Sequence, residues 1–172
     1  HDEVARGLLV ARGVGAEHVR VIAPATPAAS APLPARDAAR AALGIPASAP
    51  VVLFLGFVKP YKGLGVLLES VARLRAELPG VVLLVAGEAM NGRAEYDRAI
   101  ARLGLAPHVR WSGRFVPSDE LAAHLAAADV VALPYLEASS SGVLLAAYAH
   151  ARPVVATSVG GLPALVEHGR TG

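Results

Sequence analysis

Cysteine is absent from the 172-residue chain. No disulfide framework and no thiolate metal site can therefore form, which fits a cytoplasmic protein. Charge is sparse as well: 17% of residues carry it, and the net charge is +2. No block of Lys and Arg stands out, so the usual mark of a nucleic-acid partner is missing. No apolar run approaches the roughly 18 residues that a membrane span needs. His1-Asp2-Glu3 has neither an initiator methionine nor the pattern of a signal peptide, so the chain reads as a piece of something longer. No pair of histidines has the spacing of a zinc site. No Ser, His and Asp set is suggested by order or context. What the chain does have is a composition 54% hydrophobic, dominated by alanine, and enough length for one domain with a proper core.

The first fifty residues are the least regular. Val4 to Arg12 predicts a short helix ended at Gly13 or Gly15. Val19-Arg20-Val21-Ile22 alternates like a short strand. Residues 23 to 34, rich in Pro, Ala and Ser, read as a linker or long loop. Asp37 is a candidate N-cap for an alanine-rich helix that Gly44 ends. Residues 1–50 are thus taken as a lead-in to a domain over 51–172.

From Val51 the pattern is periodic. Val51 to Leu55 is a continuous apolar run, as in a strand buried on both faces. Leu64 to Leu78 is an amphipathic helix with Leu64, Leu67, Leu68, Val71, Leu74 and Leu78 inward. Val81 to Ala86 is a second buried strand, and Arg93 to Leu103 a helix stopped by Gly104. Val109-Arg110-Trp111 is a short strand, and Ser118 caps a helix running to Ala127. Val130 to Leu133, Val143 to Ala151 and Val154 to Ala156 read as strand, helix and strand. Alternation of this kind predicts an α/β fold, a Rossmann-like parallel sheet with helices on both faces. Ligands in such sheets sit beyond the C-terminal ends of the strands.

Two loops lie where ligands would. Ser139-Ser140-Ser141-Gly142 precedes a helix, so it offers hydroxyls and unpaired N–H groups that favour a phosphate; a simple N-cap reads equally well. Gly56 to Gly63 follows the first buried strand and carries Lys59 and Lys62. Gly56 permits close approach to the backbone. The spacing is not that of a Walker A loop, and both lysines could be merely solvated. Together the two loops could hold a diphosphate. Gly87-Glu88 ends a strand and could line the same cleft. His108 reads as structural or solvated, and His124 and His150 as facing solvent or a helix contact. Trp111 reads as core packing.

Three motifs in order carry a resemblance. They are Phe54-Leu55-Gly56 with Lys62-Gly63 and the helix of Leu67-Leu68-Glu69; Val130-Val131-Ala132-Leu133-Pro134-Tyr135; and Arg152-Pro153-Val154-Val155-Ala156-Thr157, Gly160-Gly161-Leu162-Pro163 and Gly169-Arg170-Thr171-Gly172. Residues 51–172 thereby resemble the C-terminal, donor-binding domain of GT-B-fold family 4 glycosyltransferases. The serine loop looks like the branch with a Ser-x-Ser-Gly-Val donor loop. The resemblance implies transfer of a sugar from a nucleotide-diphospho-sugar to an acceptor, with retention, without a metal or other cofactor. It implies a missing N-terminal acceptor domain, to which any membrane association would belong, and little turnover without it.

By the same resemblance Lys62 neutralises the donor diphosphate, and Lys59 stands in for an arginine that many members have at the position of Phe57. Ser141, Gly142 and Val143 contact phosphate, with Ser139 and Ser140 in the same donor loop. Arg114-Phe115, after Gly113, lies where the family contacts the nucleobase, largely through backbone. The family's paired glutamates fall at Ala138 and Ala146, so Glu137 is the nearest substitute for the first as a catalytic group. The acid of the Gly-Gly-x-Pro-Glu motif is Ala164, and Glu167, one helical turn on, could reach the same side. The alternative is a non-catalytic nucleotide-binding or scaffold domain of the same fold whose acids have been lost.

Overall fold

The structure, a computed structural model, describes residues 3–22 and 33–172. Five strands form one parallel sheet: β1 (Val51–Leu55), β2 (Val82–Ala86), β3 (Val109–Trp111), β4 (Val130–Leu133) and β5 (Val154–Ala156). Their order is β3-β2-β1-β4-β5. The chain steps outward from β1 to β3 and then returns to place β4 on the other side of β1. That reversal puts a topological switch point between the C-terminal ends of β1 and β4.

Successive strand residues point to opposite faces, and the two faces have separate cores. Val51, Leu53 and Leu55 pack with Val131, Leu133 and Val154 against Leu125 and Leu144. These last two lie on helices α5 (Ser118–Ala127) and α6 (Gly142–Ala149). Phe54, Leu83 and Val85 pack on the other face against Leu64, Leu68, Val71 and Ile100. Those residues lie on α3 (Leu64–Leu74) and α4 (Ala94–Arg102). Helices therefore cover both faces, as the alternation predicted.

Two earlier helices complete the described chain, α1 (Glu3–Ala11) and α2 (Arg36–Ala42). The division at residue 50 does not follow the packing. Ala39, Ile45 and Ala49 are buried in the same cluster as β1. Arg40 is fully buried. Its Nε donates to the Ala127 carbonyl at 3.0 Å, and its Nη2 to Asp129 Oδ2 at 2.9 Å. A third donation reaches the Ala47 carbonyl. Asp129 Oδ2 also accepts from the Val51 N–H at 2.7 Å, so one carboxylate ties α2 to the starts of β1 and β4. Helix α1 buries no residue.

Several local expectations are corrected. Val19–Ile22 forms no strand; only a 3-10 turn over Ala16–His18 precedes it, and Val21 and Ile22 are exposed outside the sheet. Alternation alone does not make a strand; a ladder must form as well. Asp37 and Ser118 are not N-caps: Ala35 and Pro117 hold the cap positions in extended conformations, without side-chain bonds. Helix α3 ends at Leu74, and Leu78 is exposed beyond a run of turns. Of the two readings for His124 and His150, solvent is excluded and a helix contact holds: both are buried, each with Nδ1 against the carbonyl four residues earlier. His108 is structural, its Nδ1 2.9 Å from the Val81 carbonyl. The linker expected over 23–34 falls largely outside the described residues.

Candidate functional site

The site grows from the two loops that leave the switch point. After β1, Gly56 adopts φ +95° and its N–H donates to Ala86. A 3-10 turn over Pro60–Lys62 follows, closed by Gly63 at φ +70°. After β4 the chain passes Pro134 and Tyr135 into the serine loop. The two loops meet backbone to backbone. A Cβ on Gly63 would lie 1.9 Å from the Pro134 carbonyl oxygen, and the Leu136 N–H donates to Tyr61 at 2.7 Å. Glycine is needed there both for its left-handed conformation and for lack of room.

Ser141 ends the serine loop as the N-cap of α6. It is 6% exposed, and its Oγ accepts from the Leu144 N–H at 3.2 Å. The N–H groups of Gly142 and Val143 in the first turn have no intrahelical acceptor. Lys62 and Val143 converge on Gly56: a Cβ there would meet Lys62 Nζ at 2.9 Å and Val143 Cγ2 at 3.6 Å. The Lys62 amine and a methyl group on the first turn of α6 thus flank one side-chain-free point. A lysine charge and a helix N-terminus each favour an anion.

Burial, then the charge of Lys59, lowers the Lys62 pKa from its ordinary value. Its ammonium lies 5.6 Å from the centre of the Tyr135 ring. An anion placed beside it would favour the charged form and offset that lowering.

Two clefts open on either side of the Pro60–Lys62 turn. One, of about 220 Å3, lies between the ends of β1 and β2 and is lined by Gly56, Phe57, Lys62, Gly87, Glu88 and Phe115 among others. The other, of about 560 Å3, is lined by Tyr61, Glu137, Ala138, Ser139 and Ser140. Lys62, Phe115 and Gly56 thus share one cleft, and Glu137, Ser139 and Ser140 the other. Phe115 is 57% exposed and its ring lies 5.7 Å from that of Phe57, tilted by 31°. Arg114 does not line either cleft. Its guanidinium is drawn to Glu120 in α5, and that hydrogen bond and charge raise its pKa.

Glu167 is not brought to this cluster either. Its Oε2 holds Arg170 Nη1 at 2.9 Å, and its carbonyl accepts from Arg170, Thr171 and Gly172 in consecutive turns. The segment is folded on itself, which keeps the carboxylate with its sequence neighbour. Ala146, at the position of the second family glutamate, is buried in α6. Gly160 has a packing reason instead. A Cβ on Gly160 would fall 1.4 Å from the Ala138 carbonyl oxygen, to which the Gly161 N–H donates at 3.3 Å. Among the described residues no group of three or more His, Asp or Glu could hold a metal ion. No helix among them is long and apolar enough to cross a membrane.

Tyr61, Tyr135 and Phe57 were not singled out from sequence as site residues. The signal available was position: each is an aromatic within a few residues of a strand's C-terminal end. Glu88, expected as a possible lining residue, does line the smaller cleft.

Comparisons with known proteins bear on the family and the fold. A model of the family described as glycosyl transferases group 1 matches residues 49–172. A D-inositol 3-phosphate glycosyltransferase of Streptomyces scabiei is 41% identical over 149 residues, 82% of this chain and 33% of the relative. One from Kineococcus radiotolerans is 39% identical over 170 residues, covering 94% and 39%. The chain therefore spans about a third of the length of the curated relatives it matches. The crystal structure of Anabaena Alr3699/HepE in complex with UDP-glucose superposes with a TM-score of 0.85 at 27% identity, over 98% of this chain and 46% of that one. The same protein in complex with UDP and glucose gives 0.84, over 97% and 46%. The parallel sheet is accordingly the Rossmann-like sheet of a GT-B glycosyltransferase, and the chain belongs to the group 1 glycosyltransferases.

Proposed function

We propose that this chain is the donor-binding part of a retaining glycosyltransferase, which takes a sugar from a UDP-sugar and passes it to an acceptor held by another domain. The observation that carries the reading is the convergence of Lys62 and the α6 N-terminus on Gly56 at the switch point. The diphosphate lies against Gly56, with Lys62 on one side and the N–H groups of Gly142 and Val143 on the other. Lys59 adds long-range positive charge. The uracil takes the cleft beside Phe115, and the sugar points past the Pro60–Lys62 turn toward Glu137, Ser139 and Ser140. As the glycosidic bond breaks, negative charge grows on the departing diphosphate, where the fixed cation and dipoles stabilise it without reorganisation. No metal is required in this reading. Family 4 membership and a cytoplasmic location belong to the same reading.

The complex of UDP-glucose with the Anabaena protein supports the choice of a uridine donor. The test is an amide chemical-shift titration of this chain with UDP-glucose. The expected result is perturbation at Gly56, Lys62, Phe115, Gly142 and Val143. Shifts confined to other strands' ends, or none, would refute the placement.

One observation favours a second reading, a nucleotide-binding domain without catalysis. Ala146 and Ala164 leave two acidic positions empty, and Glu167 is engaged by Arg170. Glu137→Gln separates the two readings. If Glu137 serves the sugar, the variant weakens UDP-glucose and spares UDP; equal affinities for both ligands before and after favour the second reading.

A further inference from the structure

Tyr135 lies between the two loops of the site. It is 3% exposed. Its hydroxyl is 3.2 Å from Ser141 Oγ. Its ring faces the Lys62 ammonium at 5.6 Å and meets the ring of Tyr61 edge-on at 6.3 Å, 75° between planes. Its carbonyl accepts from Thr157 Oγ1, so the backbone is held from β5 as well. One side chain thus touches the cation of the first loop and the cap of the second.

We propose that Tyr135 is a positioning residue of the donor site, fixing the Lys62 ammonium on its ring face and the Ser141 hydroxyl at its phenol. The proposal rests on the donor-binding reading. A lysine ammonium is a point charge on a flexible four-carbon stem and needs an outside constraint to stay over one spot. An aromatic face supplies one by attraction between cation and ring quadrupole. Ser141 Oγ already accepts from Leu144 with one lone pair. If the Tyr135 phenol donates to the other, the Ser141 proton is left to turn toward an anionic oxygen. Burial raises the Tyr135 pKa, which keeps the phenol protonated and able to donate. A residue that merely filled the core would need neither the hydroxyl nor the ring orientation.

The experiment uses Tyr135→Phe and Tyr135→Leu, each in the otherwise unchanged chain. In the ligand-free protein, NMR follows the Lys62 εCH2 and the Leu144 amide. Tyr135→Phe is expected to move the Leu144 amide and leave Lys62 in place, whereas Tyr135→Leu moves both. UDP is then titrated. Tyr135→Leu is expected to weaken it by about 3- to 10-fold, the range a cation held by a ring supports. Adding Tyr135→Leu to Lys62→Ala should cost no more than Tyr135→Phe costs alone, because only the Ser141 contact is then left to lose, and adding Tyr135→Phe to Ser141→Ala should cost little. The proposal is overturned if Tyr135→Leu lowers Tm but leaves both resonances unmoved, or if the losses in the double variants multiply. A wild-type chain that binds no UDP would defeat the donor reading, while the ligand-free resonances would still decide whether Tyr135 holds Lys62 and Ser141.

Discussion

Replacing Gly63 by Ala probes the contact on which the whole site depends. Gly63 sits at φ +70°, where an L-residue costs about 1–2 kcal/mol. Its added Cβ would stand 1.9 Å from the Pro134 carbonyl oxygen, a backbone atom with no rotamer to yield. The loops after β1 and β4 must then separate by more than about an ångström to reach van der Waals contact. The Leu136 N–H to Tyr61 bond at 2.7 Å crosses that same junction. Its loss adds about 0.5–1.5 kcal/mol. The expected destabilisation is about 2–4 kcal/mol, a fall in Tm of roughly 5–15 °C for a chain of this size. Gly65 is the control. It lies in α3, its Cβ would meet nothing within 4 Å, and its φ is not positive. Gly65→Ala should stabilise by about 0.5–1 kcal/mol through lower unfolded-state entropy. Thermal and urea unfolding of both variants gives the comparison. Gly63→Ala as stable as wild type, or both variants moving in the same direction, would mean that the Pro134 carbonyl does not constrain Gly63.

Asp129→Ala should destabilise by about 3–5 kcal/mol in urea, because Arg40 would remain charged in the core. The reading that α2 belongs to the domain fails if the loss is under about 1 kcal/mol. The Lys62 pKa is lowered in the folded chain, so below it the buried charge reduces stability. Between the folded value and the unfolded value of 10.5 the unfolded chain holds more protons, and stability contributed through this group rises with pH. Urea unfolding of wild type minus Lys62→Met, from neutral pH upward, should show that rise; a flat difference contradicts it. UDP affinity should move the opposite way, falling as Lys62 loses its proton. Glu167→Gln should leave UDP affinity within about twofold, since its carboxylate serves Arg170. A larger loss would return Glu167 to the donor cleft.

The sheet was legible because its strands carry uninterrupted apolar runs that no helix period explains. Val51–Leu55 and Val82–Ala86 match their observed bounds to within a residue. The strand-then-helix rhythm also located the two ligand loops. What stayed hidden depends on contacts between distant parts of the chain. Arg40 reads as one more surface arginine until Asp129 and the Ala127 carbonyl are placed beside it. His124 and His150 sit on alanine-rich helices where sequence leaves solvent and a helix contact equally open; both are buried, with Nδ1 against a carbonyl of their own helix. The N-caps at Asp37 and Ser118 were misplaced by a residue or two because an acid or hydroxyl in the first turn has the same local pattern as a cap. In the site, the roles of Gly63 and Gly160 lie in the carbonyls of Pro134 and Ala138, which sequence spacing does not bring near. Glu167 was placed by helical spacing, but the segment around it is a succession of turns.

Whether the chain holds a nucleoside diphosphate at Lys62 is decided by calorimetric titration with UDP, GDP and ADP, repeated with Lys62→Ala. UDP is expected to bind, and Lys62→Ala to lose roughly 1.5–3 kcal/mol, the value of a charged hydrogen bond to phosphate, with Tm unchanged or raised. No binding of any of the three by a folded wild-type chain, or UDP binding that Lys62→Ala leaves intact, would contradict a diphosphate held at Lys62.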